Sequence, residues 1–172
     1  VEITGPAVRV AEGVNEDTDG TPEYALSARG DLAYAPGWSG GPRTVLTLVG
    51  SLRADSTNQK LAEAIQLNAP EQVEVLIHDS LGNIPFYNED IDVEGQVPAA
   101  AAALRAAAND ADTLLLVTPE HNGTVPASLK NAIDWLSRPF GAGALNGKPT
   151  AVVGTAFGQF GGVWAQDEAR KA

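Results

Sequence analysis

Side chains that can bind an anion are concentrated in a short stretch that follows an apolar run. Val45–Val49 has the composition of a buried strand, and the stretch after it, from Gly50 to Leu61, reads G-S-L-R-A-D-S-T-N-Q-K-L. A helix is predicted to begin here, and the free N–H groups and dipole of a helix N-terminus favour negative charge. Hydroxyl, amide and guanidinium groups beside it, on Ser51, Arg53, Ser56, Thr57 and Asn58, predict a phosphate site in this loop. The alternative is ordinary helix capping with a solvated arginine.

A second polar turn follows another apolar run. Leu114–Val117 predicts a buried strand, and Pro119–Gly123 is the turn after it. A helix is predicted next, because apolar residues repeat at helical spacing at Val125, Leu129, Ala132, Ile133 and Leu136. Pro126 suits the first turn of that helix, and Pro139 marks its far end. Ligands of open α/β sheets bind at the carboxyl ends of strands, so we expect this turn to line a ligand site.

The whole region from Arg43 onward alternates between strands and helices. Ser56 and Gln59 have the spacing of a capping box, so the first helix is expected to begin there. The later predicted elements are a strand at 73–78, an Ala-rich helix at 98–108, strands at 113–117 and 150–153, and a helix from Gly161. Such alternation predicts an α/β domain with a parallel sheet and right-handed crossovers.

Four motifs in this region resemble those of the NAD(P)H-dependent FMN reductases. They are G-S-L-R-x-x-S-x-N at 50–58, I-P-F-Y-N-E-D at 84–90, T-P-E-H-N-G-T-V-P-A-S-L-K-N-A-I-D-W at 118–135 and G-K-P-T-A-V-V-G at 147–154. The resemblance covers about 44–172 and implies a flavodoxin-like, doubly wound parallel sheet. That fold has the strand order 2-1-3-4-5. We therefore expect the order 2-1-3-4, with the fifth strand missing from a C-terminally truncated domain.

The resemblance also implies a role for individual residues around a non-covalently bound FMN. The positions that match the phosphate contacts are Ser51, Arg53, Ser56 and Asn58. The positions that match the family's turn along the isoalloxazine ring are Pro119, Glu120, His121 and Asn122, with His121 in place of the usual Tyr. Thr155 begins a Gly-rich turn, 155–162, that is similar to the family's third flavin-side loop, where Ser commonly stands at the position of Ala156. An alternative for Phe160 and Trp164 is an aromatic surface for a substrate or a neighbouring subunit. Phe86 and Tyr87 match the substrate side. The alternatives are simple connectors and ordinary core aromatic residues.

The implied activity is that of an oxidoreductase. In the resembled family, NAD(P)H reduces the flavin, which then reduces a quinone, azo dye, chromate or free flavin. We therefore expect an FMN-dependent enzyme with a small-molecule electron acceptor, assembled as a homodimer or tetramer. Lys130 and Trp135 are the candidate interface residues. Two alternatives stay open: an FMN-binding electron carrier, and a truncated or fused domain with impaired activity.

Composition argues against several other classes of protein. The chain has no Cys, which removes disulfides and thiolate metal sites. Its 22 Asp and Glu against 11 Lys and Arg give a formal charge of −11, which disfavours nucleic acid and anionic membranes as partners. Neither His78 nor His121 has a cluster of ligand residues nearby, so no metal site is expected. No long apolar run and no signal-peptide pattern are present in the sequence, and a cytoplasmic protein is expected.

Residues 1–42 differ in pattern from the rest of the chain. Tyr24–Ser27 and Leu32–Ala35 flank a polar turn as the strands of a hairpin do, and 38–42 reads as a linker. The segment resembles one blade of a TolB-like β-propeller, and the alternative is a family-specific extension. The predicted organisation is a β-rich extension with linker at 1–42 and a flavodoxin-like FMN-binding domain at 43–172.

Overall fold

The computed structural model describes residues 25–26, 32–33 and 43–172. The chain divides into two compact units, Val1–Gly41 and Pro42–Ala172. In the first unit, strands β1 (Ala25–Leu26) and β2 (Leu32–Ala33) pair in antiparallel register, as the expected hairpin requires. The propeller-blade resemblance and the linker lie outside the described residues, and the division of the chain into two domains stays a prediction.

The second unit alternates strands and helices in the expected sequence. Its elements are β3 (Arg43–Val49), α1 (Thr57–Leu67), β4 (Val73–Ile77), α2 (Ala99–Asp110), β5 (Thr113–Val117), α3 (Ala127–Leu136), β6 (Thr150–Val153) and α4 (Val163–Lys171). Two short 3-10 turns, Leu81–Asn83 and Glu89–Ile91, lie between β4 and α2. The boundaries differ from the predicted ones by at most two residues, because local apolar periodicity determines most of them.

The described sheet of this unit has four parallel strands in the order β4-β3-β5-β6. This is the expected 2-1-3-4 order of a flavodoxin-like α/β fold. The last residues of three strands pair in register, since Val49 lies beside Val117 and Val117 beside Val153. The three loops that follow these strands therefore begin side by side at one edge of the sheet.

The closest backbone approach at this edge requires a glycine. A Cβ atom on Gly154 would lie 1.9 Å from the carbonyl oxygen of Thr118, which no real side chain tolerates. The N–H of Thr118 donates to the carbonyl of Val153 at 2.8 Å, which continues the sheet pairing to the first residue beyond β5. The loops after β5 and β6 are thus held in direct backbone contact.

The expected interface role of Trp135 is wrong in this fold. Its side chain is fully buried within the chain, and its indole N–H donates to the carbonyl of Pro85 at 2.7 Å. Trp135 lies one helical turn after Asn131, which is also buried, so both belong to the inward face of α3. Lys130, the other candidate, is exposed and pairs with Asp134 on the same helix.

Candidate functional site

The loop after β3 leads into a capped helix N-terminus. Ser56 is buried, and its hydroxyl accepts a hydrogen bond from the Gln59 N–H at 3.2 Å, which confirms the predicted cap. The reciprocal half of the capping box is not formed. The Gln59 side-chain amide instead donates to the carboxylate of Glu63, one turn later on the same exposed face of α1, at 3.0 Å. Helix geometry leaves the first N–H groups of α1 without intrahelical acceptors.

Asn58 joins the loop after β3 to the loop after β6. It is 4% exposed, and its amide group makes two hydrogen bonds with the backbone of Thr155. The Asn58 Nδ2 donates to the Thr155 carbonyl at 3.0 Å, and the Asn58 Oδ1 accepts from the Thr155 N–H at 2.9 Å. This contact spans 97 positions of sequence, so the motif gave no signal of it. Asn58 therefore positions Thr155, whatever contact it makes with a ligand.

The turn after β5 is a two-residue hairpin. His121 and Thr124 exchange both backbone hydrogen bonds, at 3.0 and 3.1 Å. Asn122 and Gly123 between them have φ values of 53° and 77°, the left-handed pair that an Asn-Gly turn of type I′ adopts. Asn122 consequently lies exposed at the tip of the turn. The Asn-Gly dipeptide was the sequence signal for this geometry.

Glu120 caps a helix that lies far away in the sequence. Its Oε2 accepts the N–H groups of Trp164 at 3.1 Å and Ala165 at 3.3 Å, in the first turn of α4. The residue that precedes this helix is Gly162, which has no side chain to supply a cap. A carboxylate is favoured at this place because it satisfies unpaired N–H groups and complements the helix dipole. Glu120 thus connects the loop after β5 to the end of the loop after β6.

These loops enclose a cleft of about 610 Å³ at the carboxyl edge of β3, β5 and β6. Eight of the predicted site residues line it: Ser51, Arg53, Ser56, Asn58, Pro119, Glu120, His121 and Thr155. Thr57, Ala156 and Phe157 also line it, and they lie in loops that the sequence had placed at the site. The remaining lining residues were not assigned to the site from the sequence: Gly50, Leu52, Pro126, Ala127 and Ser128. Their position directly after strands, or at the start of α3, was the available signal. The cofactor contacts of all these residues stay predictions.

The structure does not bring Phe86, Tyr87 and Asn122 into the lining of this cleft. The Tyr87 N–H donates to the side chain of Asn131 at 2.8 Å, and the Tyr87 ring meets the Trp135 ring edge to face at 5.0 Å. These contacts hold the segment 85–87 against α3. Phe86 is 77% exposed beside them. The expected substrate-side role of Phe86 and Tyr87 therefore stays a prediction without support from the geometry of the cleft.

The charged groups at the cleft are few. Arg53 is exposed on the loop before α1, and the adjacent Asp55 forms an ion pair with Lys60. The hydrogen bond from Lys60 lowers the pKa of Asp55, and the positive charge of Arg53 acts in the same direction. Across the described residues, no group of three or more His, Asp or Glu side chains is arranged to hold a metal ion. Within 43–172, none of the helices has the length and apolar character needed to cross a membrane.

A parallel sheet of this order, with a cleft at the carboxyl ends of its strands, defines a flavodoxin-like α/β protein. Residues 43–172 match the family model of the NADPH-dependent FMN reductases. The chain belongs to this family. The match confirms the resemblance on which the expected enzyme class and the expected cofactors, FMN and NADPH, rest.

Characterised relatives agree with this assignment. The chain is 44% identical over 129 residues to a quinone reductase of Pseudomonas putida, covering 75% of this chain and 68% of the relative. It is 43% identical over 126 residues to a 2-hydroxy-1,4-benzoquinone reductase of Burkholderia sp., covering 73% and 67%. Among solved structures, it resembles the flavoenzyme NAD(P)H:(acceptor) oxidoreductase FerB of Paracoccus denitrificans. That match has a TM-score of 0.70 and 38% identity, and it covers 75% of this chain and 69% of the other.

Replacing Glu120 should loosen the start of α4. In Glu120→Ala the N–H groups of Trp164 and Ala165 lose their acceptor, and loss of an N-cap costs about 1 kcal/mol. We expect faster hydrogen exchange at these two amides and a lower free energy of unfolding. Glu120→Gln keeps an accepting oxygen and should restore most of the protection. Equal exchange in the wild-type protein and both variants would contradict the assigned cap.

Proposed function

We propose that this chain is an FMN-dependent NAD(P)H oxidoreductase that reduces quinones. The observation that carries the proposal is the cleft at the carboxyl edge of the sheet, where the capped N-terminus of α1 meets the loops after β5 and β6. Bound FMN would supply the hydride and electron transfer chemistry that protein side chains lack. In the net reaction, a hydride from NAD(P)H and a solvent proton convert a quinone to its hydroquinone.

The residues around α1 fit a phosphate group. The Ser56 hydroxyl accepts from Gln59, which leaves its own proton available to donate to an anion. Ser51 and Arg53 line the same part of the cleft and add a hydroxyl and a cation. Free N–H groups of the first turn complete a donor set suited to a dianion. The volume of the cleft lies within the range of about 300–1,000 Å³ that is usual for small-molecule and cofactor sites.

The loops after β5 and β6 are suited to hold the flavin ring. Pro119, Glu120, His121 and Thr155 line this side, with Asn122 next to them in the chain. The protein would orient the ring and shield it from water with these loops, whose backbones are fixed by Asn58 and Glu120. Backbone N–H groups held in place can stabilise negative charge without reorganising.

The reductase is distinguished from an electron carrier by turnover. The purified chain should retain visible flavin absorption after mixing with FMN and desalting, because the cleft holds the cofactor. Anaerobic NADPH should bleach that absorption, and added 1,4-benzoquinone should restore it through repeated cycles. Retained FMN that NADPH does not bleach would instead identify a carrier. A protein that stays colourless would contradict the assigned cofactor site. That is the result expected for a domain with impaired function.

Arg53 should contribute to affinity for FMN through the phosphate alone. Charge-assisted hydrogen bonds contribute about 1.5–3 kcal/mol, so Arg53→Ala should weaken FMN binding by roughly 10- to 100-fold. Riboflavin has no phosphate, and its weaker binding should not change. Arg170→Ala, which removes an exposed arginine of α4 outside the cleft, is the matched control. An equal loss of affinity for FMN and riboflavin would mean that Arg53 contacts a part of the ligand other than the phosphate. Fluorescence titration of each flavin measures these affinities.

We propose a homo-oligomer located in the cytoplasm. The oligomer follows from the expectation for the family, and exposed apolar side chains such as Leu67, which is 85% exposed, support it. Light scattering coupled to size exclusion should give a mass that is a multiple of 17.8 kDa, twofold or fourfold. A monomer at micromolar concentration would contradict this proposal without affecting the proposed chemistry.

A further inference from the structure

The segment Thr155–Trp164, which we call the aromatic loop, has an unusual surface. It reads T-A-F-G-Q-F-G-G-V-W and contains no charged residue, although the chain as a whole has a formal charge of −11. Its three aromatic side chains are largely exposed: Phe157 is 96% exposed, Phe160 56% and Trp164 50%. Large aromatic surface in contact with water is unfavourable unless a ligand or partner covers it.

Both ends of the aromatic loop are fixed by side chains that line the cleft. At the first end, Asn58 binds the Thr155 backbone through two hydrogen bonds. At the other end, Glu120 accepts the N–H of Trp164. Gly162, near the second end, lies close to Ala156 at the first end and to Glu120, because a Cβ atom on it would lie 3.6 Å from the Ala156 Cβ and 3.8 Å from the Glu120 Cβ. The exposed rings therefore extend from an anchored backbone.

The aromatic surface is continuous with the cleft. Phe157 is one of the residues that line the cleft, yet almost its whole ring is free of contacts with the chain. Phe160 and Trp164 pack edge to face with their centroids 5.1 Å apart, so they extend the aromatic surface along the loop. A ring bound in the cleft near Phe157 would find an apolar, uncharged face.

We propose that the aromatic loop is the acceptor-binding element, in which Phe157 stacks on a planar, uncharged aromatic electron acceptor. This inference rests on the proposed function and adds the residue that binds the acceptor. Offset stacking of two aromatic rings is favourable beyond the burial of area alone. A neutral loop imposes no charge penalty on a neutral quinone, whereas a highly charged acceptor gains nothing from it.

The family resemblance had instead suggested Phe86 and Tyr87 for the substrate side. Phe86 is exposed to a similar degree, but it lies on the segment that Asn131 and Trp135 hold against α3, outside the lining of the cleft. Substituting Phe157 and Phe86 separately therefore distinguishes between two possible positions of the bound acceptor. Phe140, which is 91% exposed and also outside the lining, is a matched control.

The test measures NADPH-driven reduction of 1,4-benzoquinone and of ferricyanide, which has no ring to stack. Phe157→Ala in the full FMN-loaded chain should raise the KM for the quinone by about 2- to 10-fold, the range expected for losing one aromatic contact. Because Phe157 also lines the cofactor cleft, the Kd for FMN is measured for each variant and turnover is compared at saturating FMN. The KM for ferricyanide should then stay within about twofold of the wild type, and Phe140→Ala should leave the KM for both acceptors and the Kd for FMN unchanged. Calorimetric binding of oxidised benzoquinone without NADPH should show the same loss of affinity, independently of turnover.

The outcomes separate this inference from the proposed function. A wild-type protein that binds the quinone but does not turn over would contradict the reductase, while the binding comparison would still test Phe157. The inference is overturned if Phe157→Ala behaves like Phe140→Ala, or if only Phe86→Ala lowers the affinity for the quinone. A loss of FMN affinity in Phe157→Ala would assign the ring to the cofactor. A change in assembly mass without a change in KM would assign the surface to a second copy of the chain.

Discussion

The site depends first on the buried amide of Asn58. One side chain at the start of α1 satisfies both backbone polar groups of Thr155, which follows β6. Without these two hydrogen bonds, a buried amide and two backbone groups would lose their partners, at about 1–3 kcal/mol for each buried group left unsatisfied. The register of the sheet brings the loops to the same edge, and Asn58 then fixes their separation. The shape of the cleft therefore depends on two hydrogen bonds within the protein, and Asn58 need not contact a ligand to maintain it.

The polar residues of the site divide into two groups by what their hydrogen bonds do. Asn58 and Glu120 use their side chains to hold backbone groups of other loops, and Ser128 donates to the carbonyl of Gly50 at 2.8 Å in the same way. Ser51 and Arg53 line the cleft from the loop itself. The first group preorganises the site, which reduces the conformational entropy lost on binding. The second group is the one with donors available for an anion.

Much of the fold could be predicted from the sequence, because its signals are local. The apolar runs at Val45–Val49 and Leu114–Val117 and the cap at Ser56 each depend on neighbours within a few residues. The contacts that were missed are distant: Glu120 reaches Trp164 across 44 positions, and Trp135 packs into a core that periodicity cannot resolve. No pattern along one chain encodes which loop will lie beside which. The family resemblance supplied the site residues where spacing could not.

Backbone geometry restricts the residue types on one side of the cleft more than on the other. The sequence motifs were therefore more informative about the first side. The anion-binding side is built from helix geometry and backbone N–H groups, which require Ser56 at one position and an α1 N-terminus beyond it. The aromatic loop is held at its two ends by Asn58 and Glu120, and between them by a turn in which the Gly161 N–H donates to the Gly158 carbonyl at 3.1 Å. Gly161 and Gly162 have positive φ values of 61° and 82°, which favour glycine, whereas Phe157 and Phe160 are exposed and carry large side chains. The resemblance placed Phe157 in a loop beside the flavin, but the exposure of its ring at the lining of the cleft is visible only in the folded chain.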